Sequence, residues 1–294
     1  MTDADWRSGR TRDELLAMLG YIQSLWDERH GWLFGAAAMR RIWDLLTDER
    51  FRDLVVAAEV RGCGRYTAAD FDALRGRLPR IANWRTTGVV NFRELPYWVQ
   101  QTHYATVNLG ELNFRGVLVY AADARADHTA EQSSVEWKHV DDQIAAVNRE
   151  TDRYQREYDD AVWRGMSSAE QRGDVLTRRR EQADVQIREL RAEQQAIRTR
   201  VADAARAEEY AAQADLLRCI AGNPFASVAF DPNWRSETVV SLARGIVAER
   251  AFDRLPILAD ALEEAGCDHP DVLFHCRNSG PHALGCWVLG GVNS

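Results

Sequence analysis

The stretch "VDDQIAAVNRETDRYQREYDDA", residues 140–161, decides how this chain reads. Val140, Ile144, Val147, Thr151, Tyr154, Tyr158 and Ala161 recur at alternating spacings of four and three. Only a helix turns such positions onto one narrow face, and that alternation is the seam of a coiled coil. Ala183, Ile187, Leu190, Gln194, Ile197, Val201 and Ala204 repeat the pattern downstream. Between the seam positions stand mostly Arg, Glu, Asp and Gln, which belong in water. Gly165-Met166 interrupts the two runs, and Ser167-Ser168-Ala169-Glu170 reads as a capping box that restarts the helix. The pattern predicts an antiparallel coiled-coil hairpin whose first helix, at ~1.5 Å per residue, would project roughly 45 Å. Its second helix continues past Ala211 and Leu217 to Ile220 and stops at "AGNPF", where Gly222 takes a left-handed turn and Pro224 forbids helix. Such an arm is either structural or a protein-docking surface; the heptads establish shape, and Trp137 and Trp163 beside it are candidate contact residues.

Outward from the hairpin, both flanks read as short amphipathic helices. Thr11 caps a helix at Arg12 with Glu14 closing a capping box, and Leu15, Leu16, Leu19, Ile22 and Trp26 follow at helical spacing. A second helix is expected over about 32–46, and a third carries Phe51, Leu54, Val55 and Ala58 and ends at Gly62 and Gly64. Thr67 caps a fourth, bearing Phe71, Leu74 and Leu78 before Pro79. Residues 104–121 fit a helix, although "VLVY" at 117–120 also suits a buried strand; the alanines that follow favour helix. After the hairpin, Ser236 caps a helix bearing Val239, Val240, Leu242, Ile246 and Val247, and "LPILADALEEAG" supplies another. The fold class expected is mainly α: a helical bundle body formed by residues 1–129 and 222–294, with the coiled-coil hairpin 130–221 inserted between them.

Composition bounds the function. The chain has 294 residues, 46% hydrophobic and 28% charged, with a formal net charge of −8. An acidic balance argues against a broad nucleic-acid or anionic-membrane surface, both of which need clustered positive charge. No apolar run approaches the ~18 residues of a membrane span, and "MTDADWRSGRTRDELL" lacks the apolar core of a signal peptide, so a reducing cytoplasm is the expected compartment. Five cysteines there do not make a disulfide framework and read as buried thiols or metal ligands.

The strings "LLRCIAGNPF", "DPNWRSETVVSLARGIVAERAFDRLPILADALEEAGC" and "HCRNSGPHALGCWVL", with "WLFGAAAMRRIWDLLTDERFRDLVVAAE" near the start, resemble a paralogue-rich family of uncharacterised planctomycete proteins. The resemblance covers about residues 30–62 and 214–290. It implies no activity. The chain departs from that family at 36–39, where Ala36, Ala37, Ala38 and Met39 stand in place of frequent cysteines, and in its charged section 135–210, which replaces a shorter alanine-rich middle.

Chemistry concentrates in "CDHPDVLFHCRNSGPHALGC", residues 267–286, with three cysteines and three histidines. If Pro281 opens a short helix, His282 and Cys286 lie four apart on one face. Cys267, Cys276, His282 and Cys286 then form a candidate tetrahedral zinc site of three thiolates and one imidazole. His275 looks excluded, since its neighbour Cys276 points about 100° away on a helix, and His269 is a spare. The competing readings are that the thiols pack as small apolar residues beside Leu273, Phe274 and Trp287, or that His282 activates Cys286 as a nucleophile. The expectation is a non-enzymatic interaction or scaffold protein with a structural zinc; the alternative is a metal-dependent or cysteine-based enzyme built on 267–286, with Asp268 or Asp271 as base.

Overall fold

A computed structural model describes residues 1–65, 67, 69, 70, 73, 96–110 and 113–293. Among them every regular element is helical and no strand occurs. In chain order these are α1 (Asp3–Ser8), α2 (Arg12–Ile22), α3 (Glu28–Arg41), α4 (Glu49–Gly62), α5 (Tyr97–Gly110), α6 (Phe114–Gln132), α7 (Lys138–Trp163), α8 (Ala169–Ala221), α9 (Glu237–Glu249), α10 (Leu255–Glu264), α11 (Pro270–Arg277) and α12 (Trp287–Asn293). The chain divides into two compact units, one of Met1–Arg125 with Ala205–Ser294 and one of Ala126–Ala204.

Local chemistry sets the helix starts. Thr11 accepts from the Glu14 amide while the Glu14 carboxylate accepts from the Thr11 amide, the expected capping box. Three backbone and hydroxyl donors around that carboxylate, led by the Arg10 amide, lower its pKa to about 2. α3 begins four residues ahead of the expected 32–46 element because the Asp27 side chain accepts from the His30 amide. It also ends early, at Arg41, and residues Trp43–Leu45 form a single 3-10 turn. Ser236 caps α9 as expected. At Thr67 the Asp70 amide donates to the Thr67 hydroxyl at 3.2 Å; the expected face of that helix, with Phe71, Leu74 and Leu78, lies outside the described residues. The "VLVY" run is helical, within α6.

Two cores form in the larger unit. In the first, α3 packs on α4 and both meet α5; Leu15, Met18, Phe34, Met39, Leu54 and Leu118 are among its fully buried side chains. Each such side chain contributes roughly 1.5–3 kcal/mol relative to exposure. α3 and α6 approach so closely that a Cβ at Gly31 would sit 2.5 Å from the Phe114 ring, which explains the absence of a side chain there. Residues 205–221 of α8 belong to this unit, and Leu216, Leu217 and Ile220 enter the same core. The second core gathers α9–α12 around Val239, Leu255, Leu258, Val272 and Val288.

Among the described residues the two buried carboxylates, Glu59 and Glu209, are each paired with arginine. Glu59 on α4 takes both Arg40 and Arg250 on its two oxygens. Burial alone would raise its pKa, but the hydrogen bonds from those two guanidiniums outweigh it and hold the carboxyl below its ordinary value. Glu209 on α8, paired with Arg41 at 2.8 Å, is so deeply buried that desolvation wins and its pKa is raised.

In the smaller unit the seam residues are the sheltered ones. Val140 and Ala161 are buried on α7, as are Leu176, Ala183 and Leu190 on α8, while the charged residues between them are exposed. As the first partner advances from Glu136, just ahead of α7, through Asp141 to Glu150 on α7, the α8 partner retreats from Arg200 through Gln194 to Arg179, at 3.6, 2.8 and 3.1 Å. The two segments therefore run antiparallel. One seam position differs: Ala204 is exposed, and Ala202 is buried instead with Ala126 and Ala130 of α6. A third helix has joined there, so the sheltered face of α8 rotates towards it.

Candidate metal centre

The last turns of α8 separate their faces by the 100° step of a helix. Leu216, Leu217 and Ile220 serve the first core, and Cys219 between them faces the second. α8 then stops at Gly222, whose φ of 68° is left-handed and whose Cβ position is taken by the Trp287 ring, 3.2 Å away. α11 starts at Pro270 with the His269 imidazole as its N-cap, accepting from the Asp271 amide. Its last turn carries His275. The chain from 278 to 286 is not helical, and α12 starts only at Trp287.

These elements bring Cys219, His275, His282 and Cys286 together, with one ligand atom from each inside a group no wider than 4.8 Å. Cys219 Sγ lies 3.6 Å from His282 Nδ1, and Cys286 Sγ lies 3.2 Å from His275 Nε2. A tetrahedral ion with about 2.3 Å to sulfur and about 2.0 Å to nitrogen would need donor separations of about 3.3–3.8 Å. His282 Nε2 sits 3.0 Å from the Asn278 carbonyl, to which its N–H donates. That bond places the proton on Nε2 and leaves the Nδ1 lone pair aimed at the cluster, the outer-shell arrangement that orients a ligating imidazole. The His275 ring stands at 80° to the His282 ring, 5.0 Å between centroids, and rests against Trp287.

The electrostatics suit the same purpose. A hydrogen bond to Cys286, then burial, push the Cys219 thiol well up. For Cys286 burial would also raise the pKa, yet the hydrogen bond from Cys219 and the neighbouring His275 bring it well down. One sulfur of the pair is thus predisposed to be thiolate. Burial lowers the pKa of His282, which keeps the ring neutral, as a ligand must be. Two thiols and two imidazoles can hold a metal ion here.

Two of the four residues expected from the sequence lie in this cluster. His282 and Cys286 belong to the cluster; Cys267 and Cys276 do not. Both of those thiols are buried in the second core, and burial raises the pKa of each. The expected 281–286 helix is absent, so the ring of His282 reaches the site through a loop. His275 takes the place assigned to Cys276, its neighbour on α11; the 100° step that excludes both together selects the histidine. Cys219 was 48 residues outside the quoted cluster, and only its presence in the "LLRCIAGNPF" string hinted at it.

On one side the cluster meets a cavity of about 460 Å³ lined by Cys219, His275, His282, Trp6 and Trp287. Arg7, Arg10 and Arg218 also reach it, each already bound to an aspartate: Asp271 for Arg7, Asp215 for the other two. No described helix is long and apolar enough to cross a membrane. Compared with known proteins, the chain matches no family profile, no curated protein and no solved structure.

Proposed function

We propose that this chain is a non-enzymatic interaction or scaffold protein whose C-terminal core is clasped by a structural zinc ion on Cys219, His275, His282 and Cys286. One observation supports the reading: two sulfur and two imidazole donors converge within 4.8 Å of one another, the number a closed tetrahedral site needs. A catalytic zinc keeps a coordination position open for water or substrate, whereas a structural one closes with four protein ligands. Two sulfur and two nitrogen donors favour zinc over hard cations. The clasp would tie the end of α8 to α11 and to the loop before α12, elements otherwise joined through a core of modest side chains. The hairpin of α7 and α8 is the proposed docking surface for a protein partner, supported by its charged exterior and by Trp163, 89% exposed at the turn beside exposed Val162 and Met166. The likeness of residues 30–62 and 214–290 to the planctomycete family, and a reducing cytoplasmic setting suited to five unpaired cysteines, complete the proposal.

A thiol enzyme is the second reading, favoured by the 3.2 Å between Cys286 and His275. Against it, the Cys286 side chain is 0% exposed.

Metal analysis of protein purified without chelators decides between these. The zinc reading expects about one zinc per chain and, on cobalt exchange, the visible spectrum of a tetrahedral two-thiolate site. Less than about a tenth of that content under metal-replete expression would overturn it. Turnover in a hydrolase and transferase panel, abolished by Cys286→Ala, would establish the enzyme instead.

A further inference from the structure

A second cavity, of about 670 Å³, opens between the C-terminal end of α4, the side of α9 and residues 284–293. Among the described residues four arginines line it, Arg29, Arg65, Arg244 and Arg250, and Glu59 is the one acidic residue in its wall. Glu59 is already satisfied twice over, by Arg250 and by Arg40. In a chain of net charge −8 this wall is a local excess of fixed positive charge, and concave walls of one sign focus the field on what enters.

Two of the four guanidiniums have internal work. Arg29 Nε donates to the Gly62 carbonyl at the end of α4, at 3.0 Å, and Arg250 holds Glu59. Arg65 and Arg244 are different: among the described residues neither guanidinium has a hydrogen bond or an ion pair. Compensation of a helix dipole explains arginines in a last turn. It does not explain Arg244, which sits mid-way along α9, a full turn and more before Glu249. Val60, Val247 and Leu289 give the same cavity an apolar side.

We infer that this cavity binds a small, multiply charged phosphate compound, a polyphosphate or phosphate ester, with Arg65 and Arg244 as its principal ligands and the anchored Arg29 and Arg250 as a fixed cationic floor. Guanidinium groups match phosphate oxygens in paired N–H···O contacts, and several of them in one cavity require more than one negative charge for neutralisation. The volume is that of a site for a small molecule. The arginines it uses are not metal ligands, although Cys286 also lines the cavity wall, so the binding test reads the arginines and not the metal content.

Inorganic pyrophosphate is the probe, titrated calorimetrically into the purified full chain at low salt and at physiological salt, with citrate as a polycarboxylate comparison. The expected result is saturable one-site binding, stronger for pyrophosphate than for citrate, and weakened at least about tenfold in Arg65→Ala/Arg244→Ala. Both side chains are exposed, so that variant should melt like the parent, and Arg65→Lys/Arg244→Lys should recover only part of the affinity. A control, Arg149→Ala/Arg178→Ala on the hairpin, should bind like the parent. Cys63, exposed and in the cavity wall while the other four cysteines are buried, gives an independent readout: pyrophosphate should slow its alkylation severalfold. Absence of saturable binding, equal affinity in the Arg65/Arg244 variant, equal loss in the control, or tighter binding of citrate would each overturn the inference.

Discussion

Cys219 and Cys276 are both buried thiols in one core, and only the direction of each side chain separates a ligand from a packing residue. If the proposed zinc is bound, Cys219→Ala removes a donor and should release it, whereas Cys276→Ala should keep about one ion per chain and cost about 1 kcal/mol through lost packing. Retention in the first and loss in the second, measured by metal content, would restore the set expected from the sequence. Glu59 is the other residue whose surroundings define it. Glu59→Gln leaves Arg40 and Arg250 facing a neutral acceptor and should destabilise by about 2 kcal/mol in urea. That is less than the full cost of opening a buried pair, because Arg40 and Arg250 remain 30% and 41% exposed and water screens them.

At the scale of elements, α8 shows how a regular pattern yields to its neighbours. A heptad assigns Ala204 to the seam, yet α6 shelters Ala202 instead. Ala202→Lys should therefore lower stability by more than about 1 kcal/mol, because it forces an ammonium against Ala126 and Ala130. Ala204→Lys should change it by less than about 0.5 kcal/mol, as at any exposed helical site. The reverse order in thermal melts would mean that the uninterrupted heptad governs. The α11–α12 connection teaches the same lesson. Pro281 is a good first residue for a helix, but His282 is drawn to the Asn278 carbonyl and the cluster, and no helix forms before Trp287.

For the whole molecule, the proposed metal and protons would act on the same stability. An ion that binds only the folded chain stabilises it by mass action. Removing it with a strong chelator should lower the Tm by several degrees, reversed by added zinc; an unchanged Tm would show that the clasp holds nothing. Acid has a predictable sign. Glu14 and Glu59 both have folded pKa values below the ordinary carboxyl value. Their contributions are complete above the unfolded value of about 4.3 and are lost as the pH falls below it. Glu209 is raised, so its contribution is present below about 4.3 and is lost as the pH rises through its folded value. Glu209→Gln should then flatten the stability profile on the neutral side, and Glu59→Gln on the acid side, in urea unfolding followed across pH.

The helical class, the caps at Thr11 and Ser236, the α7–α8 seam and the stop at Gly222 were all legible in the sequence. They depend on residues within about two turns of one another, where spacing and backbone chemistry decide. Only tertiary packing could set the rest: that Cys219 joins from the end of α8, that His275 displaces Cys276, and that Arg65 and Arg244 face one cavity. Those relations cross 50–180 residues of chain and hinge on which way a side chain points, which no periodicity records.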